Sequence, residues 1–142
     1  LVHVGWRGII AGVVVNTLAA LRHEFGCNTH NLVAALGPAI GPCCYEVGPE
    51  LVTSIEKVLG NEGGLLLTQP NGTVHFNLAA AVRWQLEYAG VQQIEESGLC
   101  TSCHTDEFFS HRAEKGYTGR FAAVLALQMP RTHHMVIPLE PA

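Results

Sequence analysis

Charge is what this sequence has least of. Only 14% of its 142 residues are charged, 8 Lys and Arg against 12 Asp and Glu, for a formal net charge of −4. A chain that neutralises phosphate backbones needs a positive excess, so no nucleic-acid partner is expected. Long apolar runs are also lacking. The most apolar early stretch, Ile9 to Leu21, is interrupted by Gly12, Asn16 and Thr17 and is too short to cross a bilayer, so no membrane partner is expected either. There is no signal-peptide pattern and no opening methionine. The cysteines number five, an odd count in mostly apolar or motif-like surroundings. That usage argues for reduced thiols in a cytoplasmic protein rather than a disulfide framework.

What is abundant is apolar surface: 48% of residues are hydrophobic and the mean hydropathy is +0.22. The length suits one domain with its own core. A balance this apolar implies either a heavily buried sheet or a piece of a larger protein whose cut face was once covered. No internal repeat or low-complexity tract is visible.

Local patterning predicts alternating strands and helices. Leu1 and Val2 open strand-like, and His3 leads into Gly5-Trp6-Arg7-Gly8, a glycine-framed turn. Helical apolar spacing then runs from Ile9 to Phe25 and stops at Gly26, a natural C-cap. Leu32 to Leu36 reads as a short buried strand. Gly37 to Gly48, with two Gly-Pro pairs, is an irregular loop rigid enough to hold functional groups. A helix is expected from about Pro49 to Leu59, since proline suits a first turn. Gly60 to Thr73 reads as loop around a short strand at Leu65 to Thr68. Asn77 is an N-cap for a helix over Leu78 to Ala89, ended by Gly90. Cys100 to Ser110 is loop-like, and Phe121 to Leu127 is an almost purely apolar strand candidate. The tail beyond Gln128, with His133-His134, is treated as peripheral. Together these elements predict a mixed α and β fold with strands buried on one or both faces.

Several groups could carry chemistry. Cys100-Thr101-Ser102-Cys103-His104 matches the haem-attachment pattern, with Met129 or Met135 as a possible sixth ligand. The expected strands and the missing export signal argue against that reading. Cys100 and Cys103 also form half of a zinc site, but the one other close pair, Cys43-Cys44, is adjacent and expected to chelate badly with both thiolates. A nucleophilic Cys43 or Cys44 lacks a sequence-adjacent base or cation to activate it. Arg7, in the turn before a helix start, is a candidate for holding a phosphate or carboxylate, with an ordinary salt bridge as the alternative. Ser110-His111-Arg112 is a second anion-capable cluster.

The blocks His3-Val4-Gly5-Trp6-Arg7-Gly8, Gly37 to Pro42 continuing through Tyr45-Glu46-Val47-Gly48, Asn77-Leu78 through Gln85-Leu86, and Cys100-Thr101 with Phe108 to Arg112 and Thr118-Gly119-Arg120 resemble the laccase-domain family. Its members are variously named multicopper polyphenol oxidases, purine nucleoside phosphorylases and peptidoglycan editing factor. The resemblance covers roughly Val2 to Leu127.

That resemblance implies an α+β fold, a layered α/β/β/α sandwich with mixed sheets, here N-terminally truncated. Residues 1–127 would be the C-terminal portion of a laccase-type domain and 128–142 a peripheral tail. It also implies a mononuclear zinc site of two histidines and one cysteine. His3 would be one metal ligand, and the other two have no counterpart in this chain. Three protein ligands with an open position make a catalytic zinc, whereas one histidine does not. The chain alone is therefore expected to bind zinc weakly and to be inactive.

The implied function is a zinc-dependent purine nucleoside phosphorylase with adenosine deaminase activity. Its partners would be a small-molecule nucleoside and phosphate, with Arg7 as the phosphate-binding residue. The alternatives are a copper-dependent polyphenol oxidase and a non-catalytic peptidoglycan-precursor editing factor. Copper chemistry with several ions needs clustered histidines, and His133-His134 is the one adjacent pair. Two departures from the family pattern stand out. Val4 stands where alanine is common and should affect packing alone. Val82 stands where asparagine is common and should loosen a polar contact.

Overall fold

The structure, a computed structural model, describes residues 1–60, 62 and 64–126. In order these form α1 (Trp6–Ile10), α2 (Val13–Phe25), a 3-10 turn (Thr29–Asn31), β1 (Val33–Leu36), β2 (Glu46–Val47), α3 (Pro49–Leu59), β3 (Leu66–Thr68), β4 (Val74–Phe76), α4 (Leu78–Tyr88) and β5 (Gln93–Glu96). β1 pairs in parallel with β5, and β2-β4-β3 form an antiparallel sheet. Mixed helices and strands, with both kinds of pairing, agree with the expected fold class.

Most boundaries follow local chemistry. Asn77 caps α4 by accepting a hydrogen bond from the Ala80 amide at 3.1 Å. Pro49 begins α3. Gly26 ends α2 in the left-handed region, with φ at 65°. One helix differs from expectation. The apolar spacing predicts a single helix from Ile9, but the chain starts its first helix at Trp6 and breaks it after Ile10. Gly12 at φ 71° turns the backbone before α2 begins. The apolar spacing hides the break, since both helices carry buried residues, Ile9 in α1 and Val14 and Leu18 in α2, although these enter different clusters.

Two clusters of buried side chains share α4. Ile9, Tyr45, Ile55, Leu59, Leu65, Phe76, Leu78 and Ala81 form one. Val14, Leu18, Leu86 and Val91 form the other. Val4 and Val82 pack against both. Val82, where a loosened polar contact is expected, thus makes apolar contact with both clusters. Gln85 ties the helices polarly: its side-chain amide donates to the Ile9 carbonyl at 3.1 Å, across 76 residues of sequence. Arg83 reaches from α4 to β5, pairing with Glu96 and with Glu87 on its own helix.

Three strand expectations need correction. Leu1 to Gly5 is not a strand. The apolar run at 121–126 is also not a strand, and Phe121, Val124 and Leu125 are exposed; Leu127 and the 128–142 tail, with Met129, Met135 and His133-His134, lie outside the described residues. Apolar composition alone does not make a strand when no neighbour takes its backbone hydrogen bonds. β1 alternates exposed and half-buried residues instead of being fully buried, because β5 covers one edge and its faces are unequally packed. No helix among the described residues is long and apolar enough to cross a membrane.

Phe76, fully buried in the larger cluster, is expected to be a stability determinant. Phe76→Ala should cost about 3–5 kcal/mol by urea unfolding, whereas Phe25→Ala, at a site 75% exposed, should stay within about 0.5 kcal/mol. Equal effects at the two sites would contradict this core.

Candidate functional site

The glycine-framed segment forms a shallow hollow. His3, Gly5, Trp6, Arg7 and Gly8 line a cavity of about 340 Å³. His3 is exposed and lies against the Gly5 backbone; a Cβ on Gly5 would sit 3.5 Å from His3 Nε2. Gly8 lets α1 approach α2, since a Cβ there would meet Val13 Cγ1 at 3.2 Å. Arg7 is not in a turn ahead of a helix, as the sequence suggests, but inside α1. That helix has five residues, so its dipole adds little and the guanidinium supplies most of the positive field. Its Cζ stands 4.5 Å from the centre of the Trp6 ring. Among the described residues no carboxylate pairs with it, so the ordinary salt bridge is not formed. His3 and Arg7 therefore share one open hollow with a free cation.

His3 does not assemble a metal centre from this chain's described residues. The one group of three or more Cys, His, Asp or Glu ligand atoms found together among them lies elsewhere: Cys43, Cys44, Cys100 and Cys103, all sulfurs within 4.8 Å of one another. The expectation that an adjacent Cys43-Cys44 pair is badly placed is wrong. In an extended strand successive side chains point to opposite faces, but these two sit in a tight turn. Amides of Cys44 and Tyr45 both donate to the Gly41 carbonyl at 3.0 Å, and this helical winding turns both sulfurs to one side. Cys103 Sγ lies 3.5 Å from Cys43 Sγ and 3.4 Å from Cys44 Sγ. That sulfur contact also argues against haem attachment at Cys100 and Cys103, since thioether bonds would need both sulfurs turned outward to a large ring.

The supporting geometry is specific. The parallel pairing of β1 with β5 continues into a bridge between Ala39 and Cys100, so the two cysteine turns lie just beyond the carboxyl ends of the paired strands. The Gly41 amide donates to Cys100 Sγ at 3.1 Å. His75 on β4 holds the other turn, its Nδ1–H donating to the Pro42 carbonyl at 2.6 Å. Burial raises the Cys100 thiol, but the amides of Gly41, Cys103 and Ser102, with the Cys43 thiol, outweigh it and leave the group at about 6. Cys103, hydrogen-bonded to Cys44, Cys43 and Cys100, is pushed up to about 12. Desolvation raises Cys43.

The Ser110-His111-Arg112 cluster takes a structural role. Ser110 is buried and its amide donates to the Glu114 carboxylate at 2.7 Å. Arg112 donates to the Glu46 carbonyl at 2.8 Å and stands 5.2 Å from the Tyr45 ring centre, on the wall of a second cavity of about 680 Å³.

Residues 1–128 match the family described as multi-copper polyphenol oxidoreductase laccase. The chain is 36% identical over 115 residues to the human protein named purine nucleoside phosphorylase LACC1, covering 77% of this chain and 26% of that one. It is 38% identical over 128 residues to purine nucleoside phosphorylase YlmD of Geobacillus stearothermophilus, covering 88% and 47%. The crystal structure of YlmD from the same organism superposes with a TM-score of 0.75 at 38% identity, covering 82% of this chain and 44% of that one. The chain thus spans between a quarter and a half of the length of these curated relatives.

In reduced, metal-free protein the Cys100 thiol has a pH signature. Its pKa falls from 9.0 to about 6 on folding, so the unfolded chain binds more protons between those values. The stabilisation is full above pH 9, declines as pH falls and is gone below about 6. Cys103 acts in the opposite sense at higher pH, losing its contribution between 9.0 and about 12. Chemical unfolding should therefore show stability rising from pH 6 to 9, and Cys100→Ser should flatten that rise. An unchanged slope in the variant would show that Cys100 does not titrate as described.

Proposed function

We propose, from the premise that the chain belongs to the multi-copper polyphenol oxidoreductase laccase family, that it is part of a purine nucleoside phosphorylase acting on a small nucleoside and inorganic phosphate. The reading applies to residues 1–127, with 128–142 as a tail outside it. Relatives bearing that name support it. The observation in this chain that carries it is the Arg7 guanidinium, without a carboxylate partner among the described residues, beside His3 in one open hollow.

Phosphorolysis needs a phosphate oxygen brought to the sugar carbon that bears the base. A guanidinium suits this task, since its planar fork matches two phosphate oxygens and stays charged at any working pH. Holding the dianion in place turns a bimolecular encounter into an oriented one. The Trp6 ring beneath Arg7 limits the positions its head can take. His3 is exposed, lines the same hollow and is read as one zinc donor of the working enzyme. From the described residues it stands alone, so a three-donor zinc centre does not fit them. The reaction is therefore argued from Arg7 and not through a metal. Adenosine deamination belongs to the same reading as a second activity.

The test incubates the full-length protein with inosine, with and without phosphate, and separately with adenosine. Free base and ribose 1-phosphate are expected only with phosphate, and inosine is expected from adenosine. Arg7→Ala should raise the phosphate KM roughly tenfold or more, since a lost hydrogen bond to a charged group costs about 1.5–3 kcal/mol. Arg7→Lys should recover part of that loss. Base release independent of phosphate, or an Arg7→Ala enzyme with unchanged phosphate KM, would remove this assignment.

A further inference from the structure

We infer that Cys43, Cys44, Cys100 and Cys103 form a tetrathiolate site for one Zn²⁺ ion, which fastens the turn after β1 to the turn after β5. The four sulfurs all fall within 4.8 Å of one another. Zinc–sulfur bonds of about 2.3 Å in a tetrahedron place neighbouring sulfurs about 3.8 Å apart. Cys103 Sγ is nearly equidistant from two partners, at 3.4 and 3.5 Å. Vertices of one polyhedron show that relation, and a single disulfide pairing does not.

The surroundings favour an ion. Cys100, Ser102 and Cys103 share a tight turn in which the Cys103 and His104 amides both donate to the Cys100 carbonyl at 3.1 Å. Two ligands three residues apart are thereby set to grip one centre. The Gly41 amide donates to Cys100 Sγ, as donors around a metal thiolate do to spread its negative charge. A side chain at Gly41 would crowd this approach. A Cβ on Gly41 would lie 3.1 Å from Cys100 Cβ and 3.2 Å from Cys43 Sγ. Cys43 and Cys103 are exposed while Cys100 is buried, which supplies an entry path on one side and a fixed anchor on the other. Thiolate donors select a soft or borderline cation over magnesium or calcium, and zinc adds no redox chemistry. Binding replaces thiol protons with the ion and releases them to solvent, with no change of oxidation state.

This assignment is independent of the phosphorylase reading, and it reverses the expectation that the chain binds zinc weakly. The site lies beyond the ends of two strands, apart from the histidine hollow, and is additional to any ion held there.

The test reduces the full chain, removes metal with a chelator, and titrates it with Co²⁺ and then Zn²⁺. One equivalent of cobalt should give the intense visible bands of a tetrahedral site and the sulfur-to-cobalt charge-transfer absorption of four thiolates, and zinc should bleach both. Cys103→Ser, at an exposed position, should fold as the parent does and lose zinc affinity by more than the roughly 10–100-fold that removing a mere supporting hydrogen bond costs. Gly41→Ala should weaken binding with all four thiols present. His3→Ala should leave the cobalt spectrum unchanged, so failure here and failure of the phosphorylase reading are separable. The assignment is overturned by a cobalt spectrum without thiolate bands, by bands that survive in Cys103→Ser, by iron in place of zinc in the isolated protein, or by metal uptake that depends on His3.

Discussion

The parallel pairing of β1 with β5 is the constraint on which the rest of this molecule depends. It joins Val33 to Gln93 and Leu36 to Glu96, residues about 60 positions apart, and extends to Ala39 and Cys100. Parallel strands cannot be joined by a tight turn, so the intervening chain must cross over. That crossover contains α3, the antiparallel sheet and α4, hence nearly the whole of the larger core. It also sets two turns side by side where ligands tend to collect in sheets with parallel strands, beyond their carboxyl ends.

A second tie brings the N-terminal segment into the same frame. α1 is too short to be stable alone. It is held by the fully buried Ile9, by packing against α3 and α4, and by the Gln85 amide on the Ile9 carbonyl. The same carbonyl already accepts from the Gly12 amide at 3.0 Å, so the Gln85 bond is a second one that ties α4 to the end of α1. The placement of Arg7 and His3 follows from it. With α1 anchored through Ile9, the residues before and beside it on the opposite side face solvent and line the hollow. The histidine hollow and the thiol cluster are thus built by different long-range contacts, which is why one can be read without the other.

Much of the secondary structure is legible from local chemistry. Asn77, Pro49 and Gly26 each mark a helix end through a hydrogen bond or a backbone preference that needs no distant partner. Other features were not legible. β5, Gln93-Ile94-Glu95-Glu96, is too polar to show a strand pattern and exists because β1 offers a partner. β4 is three residues long and follows a loop-like glycine stretch; its hydrogen bonds to β2 and β3 define it. The apolar run at 121–126 fails in the opposite way, having strand composition without a neighbour. The break at Gly12 escapes notice because apolar residues continue on both sides of it, although Ile9 and the pair Val14 and Leu18 enter different clusters.

The amino-acid sequence alone determined where chain direction changes, which helix faces are apolar, and that His3 and Arg7 lie a few residues apart beside flexible glycines. It also carried enough blocks in order to place the chain in its family. Only the tertiary structure decided that four cysteines from two distant turns meet, and that no carboxylate among the described residues pairs with Arg7. The reason is physical. Caps, turns and periodicity act within a few residues, whereas the meeting of sulfurs at positions 43, 44, 100 and 103 is the geometric consequence of a strand pairing closed across some 60 residues, whose outcome depends on the whole core packing between them.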